Sequence, residues 1–225
     1  MTLETSLSVL CCPRMEEPGQ VEYFPVGIFH ERPDSDDFVR EWYSAHLRSM
    51  HEPSLWQLCE ATDAEFLRFL WVPTWSPPLA VRVEIGTDGA TCIYGRMTSG
   101  FGGYGTGSVT HSTTSVLDRE ACGNIQNYLD LAEFWTLAAR EVVSGACDGD
   151  QWIFERSGNG SYHVVDRWNP RTGPLSDLGV YLVSLSALPV AKERLRPVAK
   201  PLDAATETRF PGLGLNVMQA RRDRT

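Results

Sequence analysis

Glu155, His163 and Asp166 are the side chains whose types and spacing could do chemistry together. They fall within QWIFERSGNGSYHVVDRWNP, residues 151 to 170, where two strand-like runs flank Gly158-Asn159-Gly160 and read as one β-hairpin. A carboxylate that orients a histidine is what general-base catalysis requires. Whether the pair meets depends on the turn. A three-residue turn at Gly158-Asn159-Gly160 sets Glu155 opposite His163 with Arg167 on the same face, and gathers Trp152, Phe154, Tyr162, Val164 and Trp168 on the other. A two-residue turn at Asn159-Gly160 sets His163 opposite Arg156 and splits the aromatic set. The first register separates polar from apolar residues and is the one expected. Against catalysis, cross-strand Glu-His and Arg-Asp pairs commonly satisfy a half-exposed sheet face, and this histidine lies near no Ser or Cys nucleophile signature.

Other motifs carry less. GFGGYG, residues 100 to 105, satisfies G-x-G-x-x-G, but a dinucleotide site needs a helix directly behind it and a Thr/Ser/Val run of strand character follows. No lysine precedes Lys192 to serve a phosphate. The segment reads as a hairpin loop or bulge in which small residues permit positive φ. His46 and His51 stand about 140° apart on a helix and Cys11-Cys12 are adjacent, so neither pair suggests a metal site. No metal and no cofactor is expected.

The 225 residues carry a formal charge of −9, unevenly spread. Up to residue 191 there are 12 arginines, no lysine and 25 acids; the remainder holds 8 bases and 4 acids. An acidic body repels phosphate backbones and favours a basic protein as partner over nucleic acid. No apolar run is long enough for a membrane span, and the amino-terminal residues lack a basic leader region, so a cytoplasmic location is expected. Seven tryptophans are mostly core candidates, and any left exposed would anchor an interface.

The elements that must position these residues follow from periodicity. Residues 21–29 could form an edge strand, restricted by Pro25. A helix capped by Asp34 or Ser35 carries Val39, Tyr43, His46, Leu47 and Met50 on one stripe and stops before Pro53. Residues 66–72, 79–85 and 91–97 predict an antiparallel meander, and a two-residue Asp88-Gly89 turn would set Ile85 opposite Cys92 and Val83 opposite Tyr94. A strand at 109–114 and a helix opened by Ser115 and Asp118 come next. After the hairpin, Pro174 and Ser176 introduce a helix that is apolar nearly all round. The expected fold is α+β: a single antiparallel β-sheet with helices packed mainly on one face, residues 1–190 as one domain and 191–225 as a basic, loosely packed tail.

RFLW-x-PTW-x-PP-x-AVRVE (68 to 84), GGYGTG (102 to 107), Phe134-Trp135 and DGDQWIFERSGNGSYHVVDRW-x-P (148 to 170) resemble a family of uncharacterised bacterial proteins over roughly residues 40 to 190. No chemistry comes with that resemblance. The functional expectation is a non-catalytic, immunity-like or antitoxin-like domain that holds a basic protein. Its binding residues would be Trp152, Glu155, Arg156, Tyr162, His163, Arg167, Trp168 and Tyr104. The alternative is a small hydrolase using His163 with Glu155 or Asp166 beside the glycine-rich loop.

Overall fold

The computed structural model describes residues 21–87, 89–103, 105–141, 149–190 and 192–195. Tyr104, Asp88 and the tail beyond residue 195 lie outside the described residues. Six strands form one antiparallel sheet: β1 (Glu65–Pro73), β2 (Leu79–Ile85), β3 (Thr91–Thr98), β4 (Val109–Val116), β5 (Asp150–Gly158) and β6 (Ser161–Trp168). Their order across the sheet is β4-β3-β2-β1-β5-β6, a meander with a hairpin added beside its first strand. β1 is therefore central, and all but its first residue are buried.

The fold is α+β, as expected, but the helices are divided between the two faces. On one side lie α1 (Pro33–Ser49) and α2 (Leu55–Ala61); on the other lie α3 (Arg119–Leu131), α4 (Pro174–Leu185) and the short α5 (Lys192–Leu195). Alternation along β1 explains the division. Leu67, Phe69 and Trp71 join Ile125 of α3 and Leu178 and Leu182 of α4, while Leu70 and Val72 join Val39, Tyr43 and Leu47 of α1. With both faces of the strand apolar, helices on one side alone would leave a hydrophobic face in water. Leu195 is buried in the α3/α4 core, so packing continues past residue 190.

Residues 21–29 form turns and bends instead of an edge strand. Asp36 organises them: its buried carboxylate accepts the amides of Gly27, Phe29 and His30 at 2.7, 2.9 and 3.1 Å and the Nε–H of Arg40 at 2.9 Å. Burial alone would raise its pKa, yet these donors outweigh it and hold the group below its ordinary value. α1 begins with Pro33 at its first turn and has no side-chain cap, so Asp34 and Ser35 sit inside the helix. α3 is capped by Asp118, which accepts from Ala121 N, and Ser115 belongs to β4.

Two turns shift the expected registers. Gly86 N donates to Ala90 O, and the longer β2–β3 turn pairs Ile85 with Thr91, Val83 with Ile93 and Arg82 with Tyr94. Val83 and Ile93 thereby share the core, while the Arg82 guanidinium lies 4.3 Å from the centre of the Tyr94 ring. In the β5–β6 hairpin Gly158 faces Ser161, and the turn consists of Asn159 (φ 52°) and Gly160 (φ 70°). Left-handed conformations at both central positions make it a type I′ turn, which suits the strand twist better than a three-residue turn.

Candidate binding site

The two-residue turn undoes the expected catalytic pair. Arg156 stands opposite His163 and Glu155 opposite Val164, so Glu155 and His163 project from opposite faces of the sheet. The aromatic residues are split in the same way: Trp152 and Phe154 enter the α3/α4 core, and Tyr162 packs under α2. His163 bridges to the loop after α3, with Nε2–H donated to Leu137 O at 3.0 Å and its ring edge-on to Phe134 at 5.5 Å. Burial lowers its pKa. Arg156 covers Trp135, 5.2 Å from the ring centre, and reaches Glu65 at 3.6 Å. These contacts dock the 134–137 segment against β5 and β6.

Glu155 is spent on structure. It is fully buried, its Oε2 accepts Arg68 Nε at 2.7 Å and its Oε1 accepts the Tyr162 hydroxyl at 2.9 Å. Arg68, equally buried, also donates to Pro53 O at 2.6 Å and lies 3.6 Å from Glu52, whose carboxylate accepts Arg82 Nε at 3.0 Å. Burial raises the pKa of Glu155. For Arg68 the same burial works downward, but Glu155 and Glu52 outweigh it and keep the guanidinium charged. The cluster has no visible reactive purpose.

Asp166 differs. It lies on the same face as Glu155, opposite Ile153, and lines a cavity of about 290 Å³ at the end of β1, β5 and β6. Trp42, Thr74, Gly102, Arg140, Glu141 and Trp168 line that cavity with Asp166. Asp166 is 1% exposed, and its Oδ2 accepts the Tyr43 hydroxyl at 3.0 Å with Arg140 Nε at 3.4 Å. Its Oδ1 is buried and, among the described residues, has no hydrogen-bond partner. Burial pushes the pKa up to about 6, against the pull of Arg140, Tyr43 and Arg167. Arg140 also contacts His30, and Glu141 is paired with Arg167 at 3.2 Å.

The glycine-rich loop lines this cavity through Gly102 and Gly103. Gly102 N donates to Pro73 O at 3.0 Å, and Gly102 O accepts Trp42 Nε1 at 2.8 Å and His46 Nε2 at 3.3 Å. A Cβ at Gly102 would sit 2.5 Å from Pro73 O, so close approach, and no phosphate, explains the absence of a side chain there. Thr74 and Gly149, which also line the cavity, each donate a backbone N–H to the other. Three exposed aromatic residues neighbour lining residues: Phe38, 70% exposed, has its ring 6.4 Å from Trp42, and Trp75, 64% exposed, and Phe101 adjoin Thr74 and Gly102 in the chain.

No protein-family model matches the chain, and no curated protein or solved structure is significantly similar to it.

Of the residues expected to bind or react, the structure therefore brings Asp166 and Trp168 to one cavity beside the glycine-rich loop. Trp152 and Glu155 are buried elsewhere, Arg156, Tyr162 and His163 hold other elements in place, and Arg167 reaches the rim through Glu141. Trp42 and Arg140 were in no motif, and Thr74 stood only within the RFLW-x-PTW run. Among the described residues no three His, Cys, Asp or Glu side chains converge as a metal site, and no helix is long and apolar enough to cross a membrane.

Proposed function

We propose that this protein is a non-catalytic recognition domain that holds a basic protein at the loop end of its sheet. A cationic side chain of the partner would enter the cavity, and Phe38, Trp75 and Phe101 would supply apolar anchors around it. The observation that carries this reading is Asp166, a buried carboxylate whose Oδ1 has no donor among the described residues, lining a cavity flanked by two indoles. Leaving such an atom unpaired is costly, and a guanidinium or ammonium group would satisfy it while packing against Trp42 or Trp168. Central aromatics around a desolvated charge are the usual composition of an interface hot spot. The acidic body would steer a basic partner toward the site.

Titration with argininamide and with an arginine-containing peptide, followed by tryptophan fluorescence at neutral pH, tests the reading. A saturable response is expected that weakens as pH falls through about 6, when Asp166 becomes neutral, and that is lost in Asp166→Asn. Trp75→Ala should weaken the peptide more than argininamide. No saturable response, or an equal one in Asp166→Asn, overturns it.

One observation favours a second reading. A carboxyl group with a pKa near 6 in a polar cavity is suited to proton transfer. That reading requires turnover of some hydrolysable substrate with a pH profile that breaks near 6 and vanishes in Asp166→Asn. His163 takes no part in it, because it lies on the other face of the sheet.

A further inference from the structure

The two edges of the sheet are finished differently. Near its end β6 is met by the chain itself: Asp166 N donates to Ala139 O at 2.6 Å, Arg140 forms a parallel bridge to Asp166, and the Arg167 side chain donates to Ala138 O at 2.9 Å. Along β4, among the described residues, no strand pairs with the outer side. Leu117 N bonds Thr91 O, so antiparallel alternation turns the N–H and C=O groups of Thr113 and Ser115 toward β3 and those of Ser112, Thr114 and Val116 outward. Six of the eight β4 residues are exposed.

Folded proteins usually blunt such an edge with charge, proline, a bulge or a cover. β4 has neither charge nor proline, and its register shift, at Met97/Thr98, is confined to the first end of the strand. Between Arg96 and Asp118 there is no Asp, Glu, Lys or Arg, the longest uncharged run in the chain. Around it the body is strongly acidic. A basic partner would gain nothing from this neutral strip. A like-charged copy of the same molecule needs one, since here two acidic bodies can approach with least repulsion.

We infer that β4 pairs antiparallel with β4 of a second copy about a twofold axis, joining the two sheets into one. Setting Ser112 opposite Thr114 of the second copy puts the axis at Thr113 and brings hydroxyl side chains to face one another across the seam. Exposed Val116 would be covered near the end of the ladder.

Sedimentation velocity over a concentration series, with the full chain, tests this. The wild type should form a dimer. Thr114→Pro, which removes only an outward N–H, and Ser112→Lys, which places like charges near the axis, should each abolish it while leaving the circular dichroism spectrum unchanged. Thr113→Cys should become a disulfide-linked dimer under mild oxidation. A monomer at every concentration overturns the inference, whether its outward β4 amides exchange rapidly, leaving the edge to a strand from a different protein, or slowly, meaning the chain's own residues cover it. A dimer that survives both Thr114→Pro and Ser112→Lys overturns it as well.

Discussion

Glu155 and Asp166 are buried carboxylates on neighbouring strands and on the same face of the sheet, yet they are treated in opposite ways. Glu155 has a donor on each oxygen and a guanidinium against it. Asp166 has its donors on one oxygen only, and the other is buried without any. The first is closed to anything that arrives from outside. The second keeps an unmet acceptor on a residue that lines a cavity large enough for a side chain. The comparison teaches that burial alone does not mark a site; what marks one is burial whose electrostatic cost the fold leaves uncompensated.

The largest expected effect breaks the closed member of the pair. Glu155→Ala strands Arg68 in the core and should cost about 3–5 kcal/mol in urea unfolding. Joint replacement, Arg68→Met with Glu155→Leu, should recover most of that loss, because the isolated charge rather than the missing pair is what destabilises.

The next sharpens the open member through pH. Asp166 is neutral in the folded and the unfolded chain below about pH 4. Between the ordinary carboxylate value of 3.8 and about 6 the unfolded chain releases the proton while the folded chain keeps it. Its contribution to stability is therefore full at low pH and is lost as pH rises through 6, by roughly 3 kcal/mol in all. Asp166→Asn should lack this slope. The difference between the two unfolding free energies, measured from pH 4 to 8, isolates it from Glu155, which burial shifts in the same direction, and from Asp36, whose pKa is lowered.

The smallest effects compare the two tyrosines. Tyr43→Phe removes a donor from Asp166 and should raise its pKa further above 6, read from the carboxyl carbon shift in an NMR titration. Tyr162→Phe removes the equivalent donor from Glu155, where Arg68 still holds the other oxygen. Each should cost about 1–2 kcal/mol.

Much of this fold can be read from residue patterns, and the reason is visible in β1 to β3. Their β-branched and aromatic runs are long, and the separating turns carry Pro and Gly. α4 was legible because a helix that is apolar all round has nowhere to lie but across a sheet. Registers were harder. One residue more or less in a turn inverts every side chain of a strand, and polar-apolar sorting favoured the wrong hairpin because it assumed a half-exposed sheet, whereas helices cover both faces. Residues 21–29 escaped for another reason: their backbone bonds go to the Asp36 side chain, a partner that strand periodicity cannot reveal. At the site, Asp166, Trp168 and the glycine-rich loop drew notice as residues, but their meeting place did not. Arg140 and Trp42 reach it from a loop and from α1, and only the hairpin register decides that Asp166 turns toward them.

The cover over β6 has a consequence for how large an assembly can grow. A sheet with two open margins can add molecules without limit and become a fibre. With Ala139 and Arg140 meeting one margin at Asp166, β4 is, among the described residues, the margin that no other segment meets, and one pairing uses it up. Head-to-head union along β4 is thus self-terminating: the same loop that carries Arg140 to the cavity stops the count at two.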